Sequence, residues 1–579
     1  MKPKHPKASQ FQKKGLYRAV KSFDVLEQRI MELPTEQERG NAFEVFAEAL
    51  LATQPKYQAK AVWPDKKVPA AIRKKLLLPE KDMGVDGVFQ TLSGDLVAYQ
   101  VKFRSNRPAL TWADLATFVG LSEKADQRFV ITNCDDLADI VKHRPNLSSV
   151  RGSHLDKLTA QDFQVIQKWL ATGEIKRKQK TPRPYQRRAI RDIRKELAEA
   201  DRTTAVMACG SGKTLVSLWV AEAEEPKTVL VLLPSLALVS QTFGDWASDT
   251  QWEDASYLCV CSDQSVGRRE DSMVFDSTDL DFKVTTDVAD VSRFLKGRTS
   301  GPKIIFSTYH SSEVVAEAMP KGFKFDLGIF DEAHKTAGRK SFLSFALGDR
   351  NLAIRKRLFL TATPRQFQAT KRTKEGDLVL AYSMDSEEVY GTRAHTLSFA
   401  KAVEDDIICD YKVLISVVTD EMLNAFSRRH GEVNVKGDLV KAQQVANQIA
   451  LSKAVEDYGV QRIFSFHSTI ASAESFVADS AEGVGSHLPE FSTSSVKGAM
   501  PTAKRESRMR AFREAPRAVL SNARCLTEGV DVPAVDMVAF MSPKKSKVDI
   551  VQATGRAMRK AGKSKKFGYV LVPIYLLHR

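Results

Sequence analysis

The sequence predicts an α/β protein in which a smaller α/β domain leads into two parallel-sheet lobes. Three observations predict this. After residue 185, short apolar runs alternate with amphipathic stretches: TAVMA, TVLVLLP, KIIFST, FDLGIF and RLFLTAT. A second series follows residue 389: YKVLISV, QRIFSFHS, RAVLSNA, VDMVAFM and FGYVLVP. Apolar runs of strand length, spaced by helical patterns, indicate parallel sheets covered on both faces. Ahead of them, helical signals flank a strand hairpin between residues 40 and 105.

The expected division is therefore residues 1–171, a linker at 172–184, a first lobe at 185–388 and a second at 389–579. The linker, TGEIKRKQKTPRP, is basic, proline-bearing and poor in apolar residues. Hydrophobic content of 43% allows real cores, and no apolar run is long enough to span a membrane. The basic N-terminus has no apolar core behind it, so it does not read as a secretory signal. The six cysteines are scattered without a C-x-x-C pair, which speaks against structural zinc or a disulfide framework and for a reducing cytoplasm. A formal net charge of +16 points to a polyanionic partner.

The stretch MACGSGKT, residues 207–214, follows a strand and opens a helix. That is the context of a phosphate-binding loop, although Met207 stands where the strict pattern has glycine. Backbone N–H groups of Gly210, Ser211 and Gly212 and the helix N-terminus would face phosphates. Lys213 would reach the β- and γ-phosphates, and Thr214 would ligate Mg²⁺. Downstream, DEAH at 331–334 closes the apolar strand FDLGIF. Carboxylates at a strand's C-terminal end call for a cation or solvent. Asp331 would hold the Mg²⁺ shell and Glu332 would position the attacking water.

With these motifs the chain resembles superfamily 2 helicases and translocases, in family order over residues 180–579. The resemblance implies two RecA-like domains with ATP between them. It makes Gln186, in RPYQ, an adenine-reading residue. It assigns PSLALVSQT (234–242) and STYHS (307–311) to strand tracking, and TATP (361–364) to coupling hydrolysis with movement. TEGVDVPAVD (527–536) would touch both nucleic acid and nucleotide, and QATGRAMRK (552–560) would be the arginine-finger segment. Gln552, Arg556 and Arg559 stand at i, i+4 and i+7, so they share one helix face. Arginine keeps its charge and can fork onto phosphate oxygens, which suits Arg556 and Arg559 to charge on the γ-phosphoryl.

In the N-terminal domain, GNAFEVFAEALLA (40–52) reads as a helix with Phe43, Phe46, Ala47 and Leu50 on its apolar face and Glu44 at the edge. Strands then flank Ser93-Gly94-Asp95. A loop centred on Gly94 would set Asp86 opposite Lys102, with Gln100 on the same face. Such a cluster can bind Mg²⁺ and hold a water near a lysine. The helix glutamate, G-V-D-G and Q-V-K together resemble the Mrr-like type of restriction-endonuclease fold. By that resemblance Asp86 ligates metal, Gln100 lies beside it, Lys102 orients or activates water and Glu44 gives support.

A nuclease followed by a motor resembles the front half of type ISP restriction–modification enzymes and, more loosely, the motor subunit of type I enzymes. Those enzymes continue into a methyltransferase and a target-recognition domain. No Asn-Pro-Pro-Tyr or Asp-Pro-Pro-Tyr segment occurs here, so a fragment, half of a split system and a stand-alone nuclease–motor all stay open. The leading expectation is an ATP-driven translocase on double-stranded DNA with a Mg²⁺-dependent endonuclease, in a restriction or phage-defence setting. An RNA helicase with a noncatalytic N-terminal domain, or a scaffold docking a methyltransferase or specificity subunit, are the alternatives.

Overall fold

The structure is a computed structural model. It describes residues 2–80, 84–261, 280–339, 342–365, 381–419, 421, 439–479, 483–498, 500, 502–523, 535–542, 547–560 and 565–576.

The N-terminal domain is built on a mixed five-stranded sheet. Its strands are β1 (Ala59–Pro64), β2 (Gly87–Thr91), β3 (Leu96–Lys102), β4 (Gln127–Thr132) and β5 (Leu147–Val150), in that spatial order. β1, β2 and β3 are antiparallel neighbours, and β4 and β5 continue in parallel. The helix Glu36–Thr53 is capped by Thr35, whose side chain accepts the Glu38 N–H. It buries Phe43, Phe46, Ala47 and Leu50, as its periodicity requires, in one cluster with Val97, Tyr99 and Val101. Alternation along β3 sends Leu96 and Ala98 to the other face, against Leu115 and Phe118 of the helix Trp112–Leu121.

The hairpin register differs from expectation by two residues. Gly87 pairs with Tyr99 and Gln90 with Leu96. The paired residues end there: the Asp86 N–H donates to Tyr99 O at 3.0 Å, so Asp86 stands beside Tyr99 and not opposite Lys102. The loop is Leu92–Ser93–Gly94: the Gly94 N–H donates to Thr91 O at 3.0 Å, and Thr91 N–H donates to Asp95 O at 3.0 Å. Gly94, at φ +95°, is the left-handed third residue of a three-residue loop and not its centre. Gln100 and Lys102, two apart on β3, share a sheet face, and Asp86 lies just before the paired residues of β2.

The first lobe has an eight-stranded, wholly parallel sheet. Its strands are β6 (Arg202–Met207), β7 (Thr228–Leu233), β8 (Ser256–Val260), β9 (Val284–Thr285), β10 (Lys303–Thr308), β11 (Phe325–Phe330), β13 (Ile354–Thr361) and β15 (Thr392–Leu397). A small ribbon joins β12 (Gly338–Arg339) to β14 (Ala381–Tyr382). The sheet order is β15-β6-β13-β11-β7-β10-β8-β9. Along β7, Val229, Val231 and Leu233 enter one core while Leu230 and Leu232 enter another. Burial on both faces is why these strands read as continuous apolar runs. β15 lies beyond the expected boundary at 388, yet it pairs in parallel with β6 and completes this sheet. The TRAHTL strand is polar and half exposed, so an apolar-run criterion passes over it.

The second lobe has six parallel strands: β16 (Asp410–Thr419), β17 (Arg462–Phe466), β18 (Ser492–Val496), β19 (Ala518–Asn522), β20 (Met537–Phe540) and β21 (Phe567–Leu576). Their order is β16-β21-β20-β17-β19-β18. Ile463 enters one core and Phe464 and Phe466 the other.

The expected linker has no regular structure before Pro184, but it is strapped down. Arg177 pairs with Asp162 at 2.9 Å, and Lys180 binds Asp249 through its main-chain N–H at 3.0 Å and its ammonium at 2.8 Å. No helix among the described residues is long and apolar enough to cross a membrane.

Candidate nucleotide and nuclease sites

In the first lobe's sheet, β13 separates β6 from β11, and all three run the same way. Their C-terminal ends therefore bring the phosphate loop, Thr361 and Asp331 to one edge, the usual ligand edge of an open parallel sheet. Gly210 and Gly212 both adopt positive φ, +81° and +83°, which lets the loop turn tightly before the helix Lys213–Glu224. Ser211 is fully buried; its hydroxyl donates to Ala208 O at 2.7 Å. Ser211 O in turn accepts from Tyr185 OH at 2.9 Å and Gln186 Nε2 at 3.1 Å. Gln186 Oε1 accepts the Arg183 N–H at 2.9 Å, so its amide ties the RPYQ helix start to the phosphate loop. Thr214 O accepts from Trp246 Nε1 at 3.1 Å, which fixes the first helical turn.

The Lys213 ammonium rests on Met207 O at 3.5 Å. Burial alone would lower its pKa, but the charges of Glu332 and Asp331 outweigh burial and raise it. Burial raises the Asp331 carboxyl, which Lys213 and the Glu332 N–H, at 2.9 Å from Oδ1, only partly offset. Tyr309 OH donates to Asp331 O at 2.8 Å, linking STYHS to DEAH. Glu332 stands at φ +48°, a conformation costly for a non-glycine residue and common at functional turns. His334 lies 3.4 Å from Glu332 Oε2 and 3.0 Å from Thr361 Oγ1. Burial drives its pKa down to about 3, so the ring is neutral, and its Nδ1 hydrogen bond with Thr361 joins DEAH to TATP.

The finger segment comes from the second lobe. The helix Lys547–Ala557 sets Gly555 against Cys209 and Arg559 against Gly210: a Cβ at Gly210 would be 3.6 Å from Arg559 Cγ. Burial raises the Cys209 thiol, and the charges of Lys213, Glu332, Arg559 and Arg556 all act on it. Arg556 is buried. Gln552 lies in the same helix, its side chain outside the described residues, as are residues 527–534 of TEGVDVPAVD. Lys565, which no motif flagged, donates to Ala557 O at 2.5 Å and Arg559 O at 3.1 Å and so holds the end of the finger helix. The glycine cradle, the cationic Lys213 and the buried Asp331 fit a triphosphate with a divalent cation.

In the N-terminal domain, Asp86 Oδ2 accepts the Val101 N–H at 2.6 Å. Gln100 is buried, and its Oε1 has no hydrogen-bond partner among the described residues. An orphaned buried oxygen is costly, and it fits a bound cation. Lys102, on the same face, makes no ion pair among the described residues. The helix of Glu44 packs on the Tyr99 side of β3, away from Gln100, and the Glu44 carboxylate meets His5 Nε2 at 3.0 Å. Glu48, one turn on, is nearly fully buried and accepts the N–H groups of Lys4 at 2.7 Å and His5 at 3.0 Å. Burial and then the charges of Glu48, Asp86, Glu44 and Asp65 push the Tyr99 phenol well above its usual pKa. Periodicity sets Glu48 away from the Phe43, Phe46 and Leu50 face, so neither it nor the N-terminal segment that satisfies it carried a signal. Among the described residues no three His, Cys, Asp or Glu side chains form a metal cage.

Comparison with known proteins agrees with this arrangement. Residues 52–161 match a family described as restriction endonuclease, of the Mrr type. Residues 179–366 match the type III restriction enzyme res subunit, and 446–561 the helicase conserved C-terminal domain. A probable helicase of African swine fever virus (isolate Pig/Kenya/KEN-50/1950) is 27% identical over 402 residues, 68% of this chain and 41% of the viral protein. Its counterpart from isolate Tick/Malawi/Lil 20-1/1983 is 26% identical over 386 residues, 65% of this chain and 39% of that protein. Among solved structures, the ATP-dependent type ISP restriction-modification enzyme LlaBIII bound to DNA superposes with a TM-score of 0.76 at 27% identity, covering 95% of this chain and 37% of that enzyme. The chain thus spans about two fifths of the length of these relatives. It carries an Mrr-like restriction-endonuclease domain joined to the two RecA-like domains of a superfamily 2 helicase-type motor.

Proposed function

We propose that the protein is an ATP-driven translocase on double-stranded DNA that carries a Mg²⁺-dependent endonuclease and serves a restriction or phage-defence system. The observation that carries this reading is the approach of the finger helix to the phosphate loop, Gly555 on Cys209 and Arg559 on Gly210. Lys213, Thr214 and the loop N–H groups would hold the triphosphate. Glu332 would orient the attacking water, and Arg556 and Arg559 would meet charge on the transferred phosphoryl. His334 would pass the state of Glu332 to Thr361. In the nuclease, Asp86 and the Gln100 oxygen would hold the divalent cation, and Lys102 would orient water. Mg²⁺, when bound, supplies positive charge at the phosphate and lowers the pKa of bound water. Net charge of +16 suits a phosphate-tracking, sequence-blind grip. The DNA in the LlaBIII structure favours DNA over RNA as the track. A methyltransferase or specificity partner belongs to the same proposal.

Two variants test it. Lys213→Ala should abolish DNA-stimulated ATPase. Asp86→Ala should abolish cleavage and spare ATPase; intact cleavage in that variant would remove the nuclease assignment. Stimulation by structured RNA but not by duplex DNA would favour the RNA-helicase alternative.

A further inference from the structure

The nuclease domain touches both motor lobes, by different chemistry. On the first lobe Gln58 clasps the Tyr257 backbone of β8: Nε2 donates to Tyr257 O at 3.1 Å, and Oε1 accepts the Tyr257 N–H at 2.7 Å. Beside it the Lys56 ammonium meets Asp281. Burial would raise that carboxyl, but Lys56 and His154 hold it down at about 2. Together with the strapped linker, this anchors the nuclease to the first lobe. On the second lobe the contact is ionic. Arg510, on the helix Thr502–Glu514, pairs with Asp156, and Lys157 pairs with Glu506 at 3.2 Å.

Asp156 has a second arginine. Arg107 Nη1 and Nη2 donate to its two oxygens at 2.8 and 2.9 Å. Arg107 also binds Glu27, with Nη2 to Oε2 at 2.6 Å. Glu27 Oε1 accepts Asn133 Nδ2 at 2.7 Å. Asn133 then holds Arg104 from both sides, donating to its carbonyl at 2.7 Å and accepting its N–H at 2.8 Å. Arg104 follows closely on Lys102. An unbroken hydrogen-bond path thus runs from the second motor lobe to the strand that bears Gln100 and Lys102.

We infer that Asp156 is a latch relaying the position of the second lobe to the nuclease site, with Arg510 as its motor-side key. With Arg510 engaged, one carboxylate is shared between two guanidinium groups. When the lobes shift and Arg510 withdraws, Asp156 turns wholly to Arg107, and the 103–107 loop adjusts with it. The first-lobe clasp keeps the nuclease in place meanwhile. Arg510 and Asp156 are positioning residues, since neither reaches the reacting atoms. This inference rests on the motor reading, because it requires lobes that move with nucleotide.

Hydrogen exchange of the full chain, with and without a non-hydrolysable ATP analogue and Mg²⁺, tests it without reference to cleavage. In the unaltered protein the analogue should change exchange across residues 103–107 by about fivefold or more. Arg510→Gln should lose that response, and Arg510→Lys, which keeps the charge, should retain it. In the same Arg510→Gln protein DNA-stimulated ATPase should stay within about twofold, well below the effect of a lost finger. An analogue that binds the unaltered protein without moving this loop, or an Arg510→Gln loop that responds as before, overturns the latch alone. An analogue that fails to bind removes the motor reading and the latch with it.

Discussion

Gly555 of the second lobe lies on Cys209 of the first: a Cβ at Gly555 would stand 2.7 Å from Cys209 Cβ. Real Cβ atoms do not approach so closely, so any side chain there must push the finger helix off the phosphate loop. Ala553 and Ala557, two positions to either side, are fully buried, so the helix cannot roll aside freely. Gly555→Ala should cut DNA-stimulated ATPase by about tenfold or more while the lobes stay folded, because a 1 Å displacement in a positioned site costs far more in rate than in stability. Steady-state ATPase with far-ultraviolet circular dichroism as the folding control reads it.

Arg556 and Arg559 are separable in role from Lys213. Arg556→Ala should lower the ATPase turnover number by about 10³, with nucleotide affinity changed much less, since a finger acts mainly on charge in the transition state. Nucleotide binding by fluorescence, set against turnover, checks the split. Wild-type turnover in Arg556→Ala would contradict the motor site.

The buried Gln100 oxygen makes the nuclease tunable. Gln100→Glu adds an anionic ligand to the proposed site and should lower the half-saturating Mg²⁺ concentration for cleavage by about tenfold. Gln100→Leu, of similar bulk, should raise it. A cleavage titration with Mg²⁺ reads both, and identical curves would remove Gln100 from the metal site.

Buried neutral histidines set the acid limb of stability. Burial holds His154 and His467 at about 4 and His334 at about 3, all below the ordinary 6.5. The unfolded chain therefore takes up these protons first. Their stabilising contribution is complete above about pH 6.5 and is lost as pH falls toward 4 for the first two and 3 for the third. Each contributes a slope of up to about 1.4 kcal/mol per pH unit inside its window. His467 holds Ser472 and Ser465 hydroxyls at 3.2 Å, so His467→Gln retains polar partners and should flatten the fall in urea midpoint between about pH 6 and pH 4.5. An unchanged slope would contradict a neutral His467.

The motor was legible because its elements are local. A strand, a glycine turn and a helix start lie within a few residues around Lys213, and DEAH closes its own strand. Helical spacing placed Gln552 and Arg556 on one helix, whereas that helix ends at Ala557 and leaves Arg559 just beyond it. What escaped was whatever depended on a distant partner: β15 joining the first sheet through β6, Lys565 holding the finger helix, and His334 bridging to Thr361.

In the nuclease, side-chain alternation by itself determined that Gln100 and Lys102 share a face. The residue that Asp86 stands beside was decided by the left-handed turn at Gly94 and the end of the ladder at Tyr99, and the side of the sheet that receives Glu44 by how its helix packs. Periodicity repeats along the chain and can be read there. Register, the choice of face and charges shared between domains, as at Asp156, depend on surfaces that meet only when the chain has folded.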